Sequence, residues 1–109
     1  MNNMKISKEE LNKAVVKKTD GTFATLKEVL EGKIIIKEDM GPEDYRDVSI
    51  ARYEMMDPKK AIVIGGVSYT KNQIIEEIKR RTEVGERFVQ IQAKFIRMLL
   101  DRKEEIDIT

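Results

Sequence analysis

Cysteine and histidine are both absent from the 109 residues of this chain. Without cysteine there is no disulfide framework, no thiolate nucleophile and no thiolate metal ligand. Without histidine the Ser-His-Asp and Cys-His arrangements are excluded, together with nearly all zinc sites. Carboxylates and lysines are the remaining acid-base groups, and no spacing among them matches a catalytic or calcium-binding motif. We therefore predict a protein that is not an enzyme and that has no metal ion, cofactor or small-molecule substrate.

Long apolar runs and an excess of one charge are also missing. No run approaches the ~20 residues that span a bilayer, and the first residues lack the apolar stretch of a signal peptide. Lysine and arginine number 21 against 20 aspartates and glutamates, a net charge of +1, so no overall field draws the chain to nucleic acid or membrane. These features predict a cytoplasmic protein with no membrane partner.

The composition is 40% hydrophobic and 38% charged, which supplies material for a compact core and a highly charged surface. A chain of 109 residues has the usual size of one domain and is too short for two independently stable cores. We therefore expect a single domain over residues 1–109, with loose ends at 1–5 and 104–109.

The N-terminal quarter fits two structures. Residues 7–10, Ser-Lys-Glu-Glu, form a capping box, which predicts a helix from there to about Lys17. However, an Asp-Gly pair at 20–21 lies between two β-prone runs, and this arrangement is also typical of a hairpin. Propensity and capping favour the helix, but the sequence leaves open whether 14–26 is a helix and turn or a hairpin.

The middle of the chain contains a second capping box at 25–28, Thr-Leu-Lys-Glu, which predicts a short helix. Three consecutive isoleucines within 33–37 then predict a strand. A Gly-Pro pair precedes residues 43–56 and favours a helix there, because the fixed φ of proline suits the first helical position. The centre of that segment also alternates like an edge strand.

The C-terminal half contains the clearest local signal. Two β-prone runs within 61–69 flank a Gly-Gly pair, which predicts a tight hairpin because two-residue turns require positive φ. Thr70 then caps one helix, and Thr82 caps a final helix that runs to about Lys103. Together these elements predict an α+β fold, in which a small, mainly antiparallel sheet of about three strands, including the 61–69 hairpin, is packed by two C-terminal helices. One or two short N-terminal helices precede it.

The final helix has a wider apolar face than a surface helix needs. On a wheel of about 100° per residue, its apolar side chains cover roughly 200°. Burial in the protein's own core explains most of this face, while contact with a second copy or another protein explains the rest, and the two explanations can hold together. The candidate interface residues are Val84, Phe88, Val89, Ile91, Phe95, Ile96, Met98 and Leu100.

Charge is distributed unevenly along the chain. Residues 38–57 contain seven acids and two bases, whereas residues 79–103 contain eight bases and three acids. One explanation is that the two segments are neighbours in the folded protein, so that their opposite charges offset each other. Alternatively, the basic strip of residues 79–103 contacts phosphates of a nucleic acid, although aromatic side chains for stacking on single strands are lacking. The candidate nucleic-acid contacts are Lys79, Arg80, Arg81, Arg87, Lys94 and Arg97.

These patterns favour binding over catalysis. We predict a non-enzymatic interaction module, a self-associating or adaptor protein that contacts itself or another protein through the wide face of its final helix. The alternative is a small nucleic-acid-binding protein that uses the basic strip. Salt separates the two hypotheses, because apolar contacts survive salt concentrations that abolish phosphate contacts.

Overall fold

The computed structural model of the chain describes residues 4–32 and 40–107, and the strand predicted over 33–37 lies outside these ranges. The α+β prediction is confirmed. The elements, in chain order, are β1 (Met4–Lys5), α1 (Lys8–Leu11), β2 (Ala14–Lys17), β3 (Phe23–Thr25), α2 (Leu26–Glu31), α3 (Pro42–Glu54), β4 (Ala61–Ile64), β5 (Val67–Thr70), α4 (Lys71–Lys79), α5 (Glu83–Asp101), a 3-10 turn (Lys103–Glu105) and β6 (Ile106–Asp107).

The described strands form three separate pairs. β2 pairs with β3 and β4 pairs with β5, both antiparallel, while β1 and β6 are parallel. We expected one sheet of about three strands, and each antiparallel sheet has two. We also expected loose ends, but Met4 pairs with Ile106 and Lys5 pairs with Asp107.

The first helix is shorter than predicted. Ser7 caps it as expected, but the helix ends at Leu11, so the predicted extension to Lys17 is wrong. Residues 14–17 instead form β2, since the β-branched side chains of Val15 and Val16 are buried there. The Asp20 carboxylate accepts hydrogen bonds from the backbone and hydroxyl of the residue two positions later, which fixes the turn. The hairpin interpretation of 14–26 is therefore correct.

The second hairpin, β4–β5, confirms the prediction for 61–69. Gly65 and Gly66 have φ values of +58° and +78°, as a two-residue turn between twisted strands requires. Thr70 ends β5 and at the same time begins α4, because its hydroxyl accepts a hydrogen bond from the Gln73 amide. The hairpin and α4 are therefore directly connected.

Helices α4 and α5 approach each other closely at one glycine. A Cβ atom added to Gly85 would lie 2.1 Å from the backbone carbonyl oxygen of Glu77, so any larger residue there would separate the two helices. Thr82 caps α5 by accepting a hydrogen bond from the Gly85 amide. Between the helices, Arg81 has φ +57°, a left-handed conformation that reverses the chain direction.

The buried apolar residues form two clusters joined by α5. The N-terminal core contains Leu11, Ala14, Val15, Val16, Ala24, Leu26, Val29, Val48, Ile96, Leu99 and Ile106. The C-terminal core contains Tyr53, Ile74, Ile75, Ile78, Phe88 and Val89. Phe88 lies at its centre, edge-on to Tyr53 and Tyr69 at centroid distances of 5.7 and 5.5 Å. Within the described ranges, no helix is long and apolar enough to cross a bilayer.

Candidate protein-interaction surface

The wide apolar face of α5 is largely covered by the protein itself. Phe88, Val89 and Ile96 of the predicted interface are buried in the two cores, so their side chains do not reach a partner. Four further candidates pack against the cores and are only partly exposed: Val84, Phe95, Met98 and Leu100. Ile91 alone among the eight predicted interface residues is exposed, by 50%. The flank of α5 around Ile91 is therefore what remains for a partner.

Two residues of the β4–β5 hairpin are also exposed. Val63 of β4 is 65% exposed and Val67 of β5 is 51% exposed. With Ile91 they make up three of the five large apolar side chains that are exposed in the described part of the chain; the other two are Phe23 and Met55. Sequence reasoning missed the two valines because it expected a third strand and closer packing over the hairpin.

The register of β4–β5 assigns its side chains to two faces. Ile62 lies opposite Tyr69 and Ile64 opposite Val67, so these four share the face towards the C-terminal core. Val63 lies on the other face, away from the helices. The hairpin is thus covered on one face only. Near its tip this cover is incomplete, since Ile64 is partly buried against the core whereas Val67 is exposed.

The outer side of β4 also has unpaired backbone. In a hairpin with a two-residue turn, the residues beside the turn, Ile64 and Val67, are a hydrogen-bonded pair, so the amides and carbonyls of Ala61 and Val63 point away from β5. Among the described residues, neither residue's backbone bonds to another element. We call these outward backbone groups of Ala61 and Val63 the β4 edge.

An apolar depression lies between β4 and α5. It has a volume of about 300 Å³ and is lined by Ile64 and Ile91, with Gln90 and the cationic residues Arg87 and Lys94 at its rim. A second depression of about 280 Å³ continues under the hairpin tip and shares Ile64 and Arg87 with the first. We call the two together the Ile64 groove. Its apolar floor and charged rim resemble the construction of peptide-binding grooves.

The six predicted nucleic-acid contacts are all exposed, but several have partners within the chain. Arg81 donates two hydrogen bonds to Glu43, at 2.6 and 3.0 Å, and these lower the pKa of that carboxyl. Arg87 lies 3.6 Å from Glu83, and the guanidinium of Arg97 lies 4.8 Å from the centre of the Tyr45 ring.

The contact between Glu43 and Arg81 joins the acidic segment 38–57 to the basic segment 79–103. The two segments are therefore neighbours, as the intramolecular explanation of the charge pattern requires. The remaining three predicted contacts, Lys79, Arg80 and Lys94, form no ion pair with the described residues.

A buried polar cluster connects α3 to both ends of the chain. Arg52 is only 5% exposed and donates hydrogen bonds to the Ala14 carbonyl at 3.0 Å, to the Gln92 side chain at 2.7 Å and to Glu10. Burial raises the pKa of Glu10, but the hydrogen bond and charge of Arg52 outweigh it, so that pKa is lowered overall. The Arg52 guanidinium also lies over the Phe95 ring. This arrangement is typical of a structural clamp, because each of the three guanidinium nitrogens donates a hydrogen bond to a different residue.

Sequence reasoning placed Arg52 on the inner face of α3 but did not identify the clamp, since its partners at 10, 14 and 92 are distant in the chain. No family model, curated protein or solved structure matches this chain. Among the described residues, exposed apolar side chains, unpaired backbone and a cation without an ion pair occur together at the β4–β5 hairpin and the adjacent flank of α5.

Proposed function

We propose that this protein is a non-enzymatic interaction module that binds a protein partner through the β4–β5 hairpin and the exposed flank of α5. The observation that carries the proposal is the exposure of Val67 and Ile91, which line the two parts of the Ile64 groove, together with Val63 on the outer face of the same hairpin. Apolar surface left in water costs about 25 cal/mol per Å² relative to burial. A partner that covers these side chains recovers this free energy, and exposed apolar patches commonly mark interaction sites for that reason.

The surface differs from the one that the sequence suggested. The wide face of α5 is mostly occupied by the two cores, so the partner would contact Ile91 and the hairpin instead. Self-association and adaptor binding both remain compatible with this surface, because either would cover the same side chains. The first experiment is therefore light scattering from about 10 μM to about 1 mM protein, which measures self-association directly.

A matched pair of variants tests the proposed surface. Ile91 and Met55 are 50% and 52% exposed, but only Ile91 belongs to the hairpin surface. We expect Ile91→Glu to abolish self-association, or to abolish capture of a partner from the source cells, while Met55→Glu leaves both unchanged. Captured proteins are then purified and their binding is measured directly by calorimetry. Equal behaviour of the two variants, or a strict monomer that captures nothing, contradicts the proposal.

Nucleic-acid binding is the second candidate function. It is supported by the exposure of Lys79, Arg80 and Lys94 and by their lack of ion pairs with described residues. A mobility-shift assay with a short duplex and a single strand at low salt tests it. We expect a shift that weakens steeply with salt if phosphates are contacted. Absence of a shift at the lowest salt removes this candidate.

A further inference from the structure

The β4–β5 sheet is incomplete along one side. Both strands have four residues, and two-stranded sheets depend on further strands or on helix packing for stability. Helix packing covers one face, but the β4 edge still presents the backbone of Ala61 and Val63 without hydrogen bonds to the described residues. An extended segment placed about 4.8 Å from β4 would pair with this backbone as a third strand.

The Ile64 groove lies where the side chains of such a strand would point. Ile64 belongs to β4 itself and lines the groove together with Ile91 of α5. Alternate side chains of a strand face the same side of a sheet. Every second residue of an added strand would therefore point towards α5 and cover Ile91, while the others would face solvent beside Val63. Backbone pairing and side-chain burial are thus available to the same segment at the same place.

The charge around this site favours an acidic occupant. Arg87 and Lys94 form the rim of the groove beside the edge, and Lys60 precedes β4 directly. Lys60 and Lys94 have no ion pair with the described residues. Glu83 is the single acid that lines either depression, and it already lies beside Arg87. Carboxylates of a partner would therefore find two cations without an ion pair, Lys94 at the groove and Lys60 at the start of β4.

The same charges oppose pairing between two copies of β4. If two copies paired antiparallel through these outward groups, Ala61 of one copy would lie opposite Val63 of the other, and Lys60 opposite Ile64. Ile64 and Arg87 line the same depressions, so Lys60 of each copy would be brought towards Arg87 of its partner. Like charges at both ends of a symmetric pair disfavour it. The occupant is therefore expected to be a different protein.

Resting on the proposed interaction function, we propose that the partner contributes an extended segment with apolar residues between acidic ones. This segment adds to the β4 edge as a third strand, inserts alternate apolar side chains into the Ile64 groove, and places carboxylates beside Arg87 and Lys94. Backbone pairing supplies the geometry, and the groove and its cations select the sequence.

A designed peptide provides the direct test. The probe is a labelled nonapeptide, Thr-Glu-Thr-Ile-Thr-Ile-Thr-Glu-Thr, whose glutamates and isoleucines share one face of a strand. Its control has lysine in place of both glutamates. We expect saturable anisotropy changes with the full-length protein and about five-fold weaker binding of the lysine peptide at low salt. Lys94→Glu should reverse this preference. No saturable binding of the acidic peptide, or equal binding of both peptides, overturns the proposal.

Two proline variants identify the edge that is used. Val63 and Ser68 are directly opposite each other at a position without cross-strand hydrogen bonds, so each amide points outward from its own strand. Val63→Pro removes an outward donor from β4, and Ser68→Pro removes the matching donor from β5. We expect the first variant to weaken peptide binding by about ten-fold or more and the second to have little effect. Equal losses, or a greater loss in Ser68→Pro, overturn strand addition at β4.

N-methylated peptides keep the test valid if either proline variant unfolds. One peptide carries N-methyl groups on the backbone amides of both isoleucines. A second peptide carries them on the two threonines that stand two positions before and two positions after the central threonine. A strand hydrogen-bonds to its neighbour through alternate residues, so one peptide should lose binding and the other retain it. Loss in both or in neither contradicts pairing as a strand.

Different experimental outcomes contradict the proposed interaction function and the proposed strand addition. If a natural partner depends on Ile91 but binds both proline variants equally, the interaction function stands and strand addition falls. If light scattering reveals a dimer that Val63→Pro dissociates, a second copy occupies the β4 edge and the acidic-partner proposal falls. If neither partner nor dimer is found and the peptide does not bind, both fall.

Discussion

The two hairpins of this protein have similar apolar strands but opposite environments. In the first, β2–β3, the side chains of Ala14, Val15 and Val16 are buried in succession. In the second, β4–β5, no side chain is fully buried and Val63 is largely exposed. The difference arises from the surrounding elements, because α3 packs on β2 and its Arg52 bonds to the Ala14 carbonyl. The first hairpin is therefore part of the N-terminal core, whereas the second exposes the surface that we propose for binding.

The largest effect is expected from removing the clamp on the first hairpin. Arg52→Ala leaves Glu10, the Ala14 carbonyl and Gln92 without their shared donor. Loss of one partner of a buried ion pair costs about 3–5 kcal/mol of unfolding free energy, measured by urea denaturation. The control is Arg97→Ala, which removes an exposed arginine that also lies over an aromatic ring. We expect it to cost less than about 1 kcal/mol, and comparable losses would contradict the clamp.

A direct comparison of the hairpins uses the same substitution in each. Val15 is fully buried and Val63 is 65% exposed. Val15→Ala should lower the unfolding free energy by about 2–3 kcal/mol, because it removes buried methyl groups and leaves a cavity. Val63→Ala should change it by less than about 0.5 kcal/mol. If the two losses are equal in chemical denaturation, the second hairpin is as buried as the first, and the proposed binding surface is wrong.

The contact between α4 and α5, the two helices that follow the second hairpin, depends on Gly85. Gly85→Ala places a methyl group against the Glu77 carbonyl and should cost about 1–3 kcal/mol. This sign is opposite to that of helix propensity, which favours alanine by about 1 kcal/mol. Thermal unfolding provides the measurement, and a stabilised variant would show that the helices do not approach so closely. Gly32, which has no atom within 4 Å of an added Cβ, is unsuitable as a control because its φ is positive, and Gly41 is unsuitable because it is the N-cap of α3, where alanine is unfavourable.

The smallest effect is a pH dependence located at the first hairpin. The pKa of Glu10 is lower in the folded protein than its ordinary value of 4.5, so the fold favours the ionised form. Its contribution to stability is present above that value and is lost as the pH falls through the folded-state pKa. We expect Glu10→Gln to flatten the decline of unfolding free energy in this acidic range. Glu9→Gln, at the exposed neighbouring position, should leave the decline unchanged.

Local chemistry explains which parts of the fold were predictable from the sequence. The Gly-Gly turn of β4–β5 and the caps at Thr25, Thr70 and Thr82 depend on residues within a few positions, and all were predicted correctly. The extent of α1 was not, because tertiary burial of Val15 overrides the helical signal around it.

The candidate site was less predictable than the fold. Ile91 belonged to the predicted interface, but periodicity alone could not separate it from Phe88 and Ile96, which face the cores. Val63 is exposed because no further strand lies beside β4 among the described residues. The local sequence around Val63 contains no signal for this. Likewise, the partners of Arg52 lie about 40 positions away in both directions.

The pairing of β1 with β6 closes the chain into a ring. Residues 4–5 and 106–107 are hydrogen-bonded neighbours, so almost the entire polypeptide is the loop that this contact closes. Such a contact gains nothing until the intervening chain is ordered, and we expect it to form last during folding and open first in amide exchange. Ile106 packs in the N-terminal core, whereas β4 packs on the other core. Residues 4–5 and 106–107 therefore lie together beside the N-terminal core, and a short linker between residues 107 and 4 would permit circular permutation of the described chain.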